Sequence, residues 1–176
     1  PDAGFKFVTP PLLTEAAQKV RASFPFDDTA ALGCKPKGMW VIMAQPFPLD
    51  IVDRGNTILV RLEEYDAVRT IHMDCGVDPS TQPRTPLGYS VGRWEGITLV
   101  VETTRLGDGW VPLGPSAHIL ERFTPGDDGR LHYTIRVTDP YFTTQPFEAS
   151  RYWVARPGDE VLPFECKEVS PAGGSR

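Results

Sequence analysis

Gly88-Tyr89-Ser90-Val91-Gly92-Arg93-Trp94-Glu95-Gly96-Ile97-Thr98-Leu99-Val100-Val101-Glu102-Thr103-Thr104 reads as two strands folded about a tight turn. A glycine in a two-residue connection supplies the positive φ that hairpin turns need. With Glu95-Gly96 as the turn, Trp94 faces Ile97, Arg93 faces Thr98, Val91 faces Val100 and Tyr89 faces Glu102. Side chains alternate along a strand. One face then carries Ser90, Gly92, Trp94, Ile97, Leu99, Val101 and Thr103, and the other Tyr89, Val91, Arg93, Thr98, Val100 and Glu102. A phenol opposite a carboxylate is either a proton-handling pair or an ordinary cross-strand hydrogen bond.

The same stretch contains Gly88-Tyr89-Ser90-Val91-Gly92, which matches G-x-S-x-G. That motif makes a nucleophile only on a strand-to-helix turn. Here a second β-rich run follows, so Ser90 is not expected to be one.

Working outward, 176 residues make one domain with room for a core. The net charge of −5 argues against a nucleic-acid partner. No apolar run is long enough to span a bilayer. The chain has no signal peptide and opens at Pro1 without methionine, which reads as a processed or trimmed form. Its 18 prolines fall mostly between apolar runs, as stiff loops between short strands would require.

Residues 1–33 read as an N-terminal arm whose one regular element is a helix over Leu13 to Ser23, with Thr14 at its N-cap. From residue 34 to 170 the apolar period is two, giving a single β domain, and 171–176 reads as a disordered tail. Strands are expected at Met39–Ala44, Leu49–Asp53, Thr57–Glu63, Ala67–Met73, Tyr89–Trp94, Ile97–Thr104, Ala117–Phe123, Leu131–Thr138, Phe147–Ala155 and Leu162–Cys166. Short strands at hairpin spacing predict an antiparallel, lipocalin-like barrel or a related sandwich with one short N-terminal helix. The longer loops Gly76–Gly88 and Gly107–Ser116, the latter with Trp110, are where a β scaffold builds sites.

Cys34 and Cys166 lie near the two ends of the β region. They form either a long-range disulfide, which places the protein in an oxidising compartment, or two of three buried thiols in the cytosol. Cys75 has no evident partner.

Two misfits stand out once the hairpins are drawn. Pairing Thr57–Glu64 with Ala67–Asp74 across Tyr65-Asp66 puts Arg69 on the face of Ile58, Val60, Leu62, Ile71 and Met73. A buried arginine needs an anion, unless it snorkels to the strand end. Pairing Ala117–Phe123 with Leu131–Thr138 across Gly126–Gly129 puts Glu121 among Ile119, Phe123, Tyr133, Ile135 and Val137. Glu121 is then either a desolvated acid–base group or the structural partner of Arg69. His72, His118 and His132 lack the close companions of a metal site, and no dinucleotide or phosphate loop is present. Neither a metal nor another cofactor is expected.

From Cys34 onward the chain resembles a family of uncharacterised exported bacterial proteins. The resemblance rests on Arg69-Thr70-Ile71-His72-Met73-Asp74, on the Gly88–Thr103 hairpin, and on Glu121-Arg122-Phe123, Thr138-Asp139-Pro140 and Pro163-Phe164-Glu165-Cys166. The family pattern has histidine or tyrosine at Tyr89 and an acid at Glu102. It has Gly-Arg where this chain has Cys75-Gly76, and an acid where it has Ile97. The resemblance implies export, to the periplasm or outside the cell, and a β-rich fold; it implies no activity.

Together these features lead to an enzyme acting on a small apolar or aromatic molecule in a barrel pocket, by cofactor-independent acid–base chemistry of the isomerase, lyase, hydratase or hydrolase kind. Glu121 or Glu102 would serve as acid or base, with Tyr89 and His72 relaying protons. Arg69 would hold substrate charge, and Trp94, Trp110 and Tyr133 would contact the substrate. The alternatives are a non-catalytic periplasmic binder of apolar ligands and an interaction domain using its sheet edge or its Trp-bearing loop on a partner protein. The partner expected is a small molecule, with self-association left open.

Overall fold

The computed structural model describes residues 4–23, 34, 37–73, 76–107, 109 and 113–166. Trp110 and Cys75, and the expected tail at 171–176, lie outside them. The elements are β1 (Lys6–Thr9), α1 (Glu15–Ser23), α2 (Val41–Ala44), β2 (Leu49–Asp53), β3 (Thr57–Leu62), β4 (Ala67–His72), β5 (Tyr89–Glu95), β6 (Thr98–Thr104), β7 (His118–Pro125), β8 (Arg130–Thr138) and β9 (Phe147–Val154). The nine strands form one sheet in the order β1-β9-β8-β7-β6-β5-β4-β3-β2. The fold is mainly β, and the sheet is not closed: β1 and β2 are its two edges.

One face of that sheet is the core. It collects Ile58, Val60 and Leu62 of β3, Ile71 of β4, Leu99 and Val101 of β6, Ile119 and Phe123 of β7, Tyr133, Ile135 and Val137 of β8, and Phe147 and Ala149 of β9. Met39, Ile42 and Met43 pack against the same cluster from around α2. Arg69 on β4 reaches Glu121 on β7, three strands away. In a flat sheet that separation is roughly 14 Å, and Arg69 spans it by lying across β5 and β6, where Ser90 and Thr103 accept from it.

Five expectations are corrected. Met39–Ala44 is not a strand; Val41–Ala44 is one helical turn with Val41, Ile42 and Met43 buried. A short apolar run buried on all sides has no period to separate helix from strand. It stops at Gln45, held extended (φ −73°, ψ 151°) by the following Pro46. Leu162–Cys166 is irregular; Pro163 has no N–H for a ladder. Side-chain contacts and the Cys34–Cys166 disulfide hold it instead. Lys6–Thr9, where no strand is expected, pairs with β9.

The fourth correction is the turn of the central hairpin. Glu95 pairs with Thr98, so Gly96-Ile97 is the connection, and Gly96 takes the positive φ (59°) at its first position. Every partner moves by two, Tyr89 to Thr104 and Glu102 to Val91. An even shift leaves both faces as expected. The β3–β4 turn moves likewise: Leu62 pairs with Ala67, and the connection is four residues long.

The fifth is the parallel pairing of β4 with β5, in a sheet whose other neighbours are antiparallel. Parallel neighbours need a long crossover; residues 73–88 provide it. Thr14 caps α1 as expected, its Oγ1 accepting from Ala17 N at 3.1 Å. No helix among the described residues is long and apolar enough to cross a membrane.

Candidate functional site

The structure sends the expected site residues to three places. The first is inside the sheet. Arg69 is 1% exposed and Glu121 0%. Arg69 Nη1 donates to Glu121 Oε1 at 2.9 Å, and Nη2 donates to Glu121 Oε2 and to Thr103 Oγ1. Arg69 Nε donates to Ser90 Oγ at 3.0 Å, and the Tyr133 hydroxyl donates to Glu121 Oε1 at 2.7 Å. Burial opposes the Arg69 charge, but Glu121 more than offsets this and holds the guanidinium above its ordinary pKa. Burial, reinforced by Glu121, pushes the Tyr133 phenol well up, so it stays a proton donor. Ser90 lies within β5 at the centre of this network, on no strand-to-helix turn. Arg69, Glu121 and Tyr133 do converge as a cluster, but a closed one whose charges and hydroxyls are spent on each other.

The second place is the outer face of the hairpin. Arg93 Nη1 donates to Glu102 Oε1 at 2.7 Å, and His118 Nε2 lies 3.5 Å from Glu102 Oε2. The Arg93 hydrogen bond holds Glu102 below the usual carboxylate range. Glu102 is therefore a paired anion, and its sequence-expected partner Tyr89 is elsewhere. Nearby, Glu95 accepts from Arg93 and, at 2.7 Å, from Arg122. Arg93 and Arg122 flank Val100 on the two adjoining strands, and Val100 is 0% exposed. Glu95 thus ties two arginine stems over an outward-facing valine. Trp94, 56% exposed, projects near the hairpin tip.

The third place is a cleft of about 530 Å³ where β4 and β5 part. Only Ile71 with Ser90 and His72 with Val91 are paired. Continued in the same register, residues 67–70 would meet 86–89; instead these two segments form opposite walls of the cleft. The anchors that draw the second wall away are visible. Gly88 N donates to Thr85 O, making a turn. Thr85 bridges to Leu106, Arg84 Nη1 donates to Leu106 O at 2.8 Å, and Met39 N donates to Pro86 O at 2.8 Å. Gly88 has φ 69°, and a Cβ there would lie 2.6 Å from the Thr104 carbonyl, so this turn depends on glycine.

His72 and Tyr89 meet in this cleft, their rings stacked 4.6 Å apart at 17°. Thr70, Thr85 and Asp66 add polar groups to the lining. At its mouth Tyr65 (φ 59°) and Asp66 (φ 48°) both adopt the left-handed region. Non-glycine residues held there cost about 1–3 kcal/mol each and concentrate at functional sites. Asp66 Oδ1 accepts from Phe164 N at 3.1 Å and the Phe164 ring packs 4.9 Å from Tyr65, so the disulfide-tethered segment braces this mouth.

Sequence reasoning placed His72 and Tyr89 on candidate strands and Thr85–Gly88 in a site-building loop. It missed that they meet, because the parallel pairing of β4 and β5 leaves no local pattern. Among the described residues no group of three His, Cys, Asp or Glu side chains is placed to hold a metal ion. No family model matches the chain, and no curated protein matches it.

Proposed function

We propose that the protein is an exported domain that binds a small, partly aromatic molecule in the cleft between β4 and residues 85–89. The observation that carries this reading is the parting of two strands that are zippered one residue further on, leaving about 530 Å³ beside the stacked His72 and Tyr89. Small-molecule sites run from ~300 to 1,000 Å³, with apolar walls and a few convergent polar groups. Val68, Pro86 and Leu87 supply apolar wall, and Thr70, His72 and Tyr89 the polar groups. The Cys34–Cys166 disulfide supports export, since such bonds persist in oxidising compartments. The open nine-stranded sheet acts as an incomplete lipocalin-like barrel, and this cleft opens on its outer face.

A catalytic reading of the same cleft is favoured by one observation, the imidazole stacked on a phenol at its wall. His72 would be the proton-transfer group, through a ring nitrogen, and Tyr89 its positioning partner. Glu121, Arg69 and Tyr133 would then support the scaffold.

Calorimetric titration with a panel of small aromatic molecules tests the binding reading. Thr70→Trp fills the cleft from an outward-facing position of β4. The expected result is saturable binding to the native protein, lost in the variant with its thermal stability intact. Equal binding by both proteins overturns the assignment. Turnover abolished by His72→Gln, with binding retained, selects the catalytic version.

A further inference from the structure

Among the described residues two arginines point into the buried face of the sheet, and one of them has a carboxylate partner. Arg69 is matched by Glu121, whereas Arg151 on β9, 8% exposed, makes no ion pair among the described residues. Its Nη1 donates to two carbonyls, Met43 O at 3.0 Å and Gln45 O at 2.6 Å. Its Nε is buried without a hydrogen-bond partner. Nε and Nη2 form the side edge of the guanidinium, the edge that takes a carboxylate through two parallel hydrogen bonds. The next residue on the same face, Trp153, has its indole 4.6 Å from the guanidinium carbon, and its Nε1 is also buried without a partner.

Burying a cation without a counter-ion is costly, and so is burying an N–H without an acceptor. Both occur here side by side, and both groups are donors. Desolvation accordingly pulls the Arg151 pKa below its ordinary value. Around them stand aromatic rings: Tyr133 5.2 Å and Phe123 6.4 Å from the Trp153 ring. Trp153 itself is only partly buried.

We propose that Arg151 and Trp153 form a second binding site, for the carboxylate of a small apolar acid. The carboxylate would accept from Arg151 Nε and Nη2 and from Trp153 Nε1, while the apolar body lies against Trp153 and Phe123. This site lies on the buried face of the sheet, away from His72 and Tyr89, and stands independently of the outer cleft.

Phenylacetate and its uncharged counterpart phenylacetamide are the probes, titrated against native protein while tryptophan fluorescence is followed, with sodium phosphate as the inorganic-anion control. The expected result is saturable binding of phenylacetate, at least about tenfold tighter than the amide and not displaced by phosphate. Trp153→Phe keeps an aromatic ring, though a smaller one, and removes the N–H donor; it should weaken phenylacetate about tenfold more than it weakens the amide, read by calorimetry. Arg151→Gln should abolish discrimination between acid and amide. Because Arg151 also holds the end of α2, that variant is read only if its circular dichroism is native, and Trp153→Phe decides otherwise. No saturable binding of phenylacetate, equal affinity for acid and amide, competition by phosphate at similar concentration, or an unaltered Trp153→Phe protein each overturns the assignment.

Discussion

Arg69 and Glu121 face each other inside the sheet across the two strands between them, fork to fork, with Ser90 and Thr103 accepting from Arg69 and Tyr133 donating to Glu121. Removing one partner leaves a buried charge uncompensated, whereas removing both leaves an apolar gap of similar shape. Glu121→Gln or Arg69→Met is expected to cost about 3–5 kcal/mol in urea unfolding. The double variant Arg69→Met/Glu121→Leu should recover most of that loss. A single variant of native stability would mean that the pair is not coupled as the geometry implies.

Cys34 and Cys166 are 132 residues apart in sequence. Closing a loop of that length restricts the unfolded chain by about 5 kcal/mol in the entropic model, with native bridges usually giving ~2–5 kcal/mol. Cys34→Ser/Cys166→Ser should therefore lower the thermal midpoint by many degrees. It should also free Phe164 from Tyr65 and Asp66, seen as faster amide exchange at residues 63–67 than elsewhere in the sheet.

Glu95 and Glu102 are both held below their ordinary value of 4.5, Glu95 chiefly by Arg122 and Glu102 chiefly by Arg93. A carboxylate whose pKa is lower in the fold than in the unfolded chain stabilises fully above the unfolded value. That contribution disappears as pH falls through the lowered native one. The thermal midpoint should thus fall on acidification below about pH 4.5. Arg93→Met should flatten that fall while leaving His72 and Tyr89 in place. An identical acid limb in the two proteins would contradict the pairing.

Gly88 and Gly96 both have positive φ, but a Cβ at Gly88 meets the Thr104 carbonyl at 2.6 Å and one at Gly96 meets nothing within 4 Å. Gly96→Ala should cost about 1–2 kcal/mol, the left-handed penalty alone. Gly88→Ala should cost more in the same denaturation assay, because the backbone turn must also move. It should weaken ligand binding in the cleft as well, which Gly96→Ala should not.

Much of the fold was legible in the residues because it follows from period-two alternation. Ile58, Val60 and Leu62, or Ile119, Phe123, Tyr133 and Ile135, could be assigned to one face without knowing any distance. Even a turn misplaced by one residue kept those faces, since hairpin partners move in steps of two. Arg69 and Glu121 stood out because a charge on an apolar face breaks the pattern. The cleft did not stand out. It arises where β4 and β5, separated by a long crossover, pair for two residues and then diverge, and no local signal encodes that. Arg151 does not stand out because Phe147–Ala155 reads as a strand with no facing partner, so the sequence does not set its inward direction against its charge.

Amide chemical-shift mapping during titration with the tightest-binding small aromatic molecule locates the ligand on the sheet. Shifts are expected to concentrate at Thr70, His72, Thr85, Gly88 and Tyr89 and to fade along β3 and β6. Shifts confined to the Trp94–Ile97 hairpin tip or to the outer edge of β2, with the cleft amides unmoved, would contradict binding in the cleft.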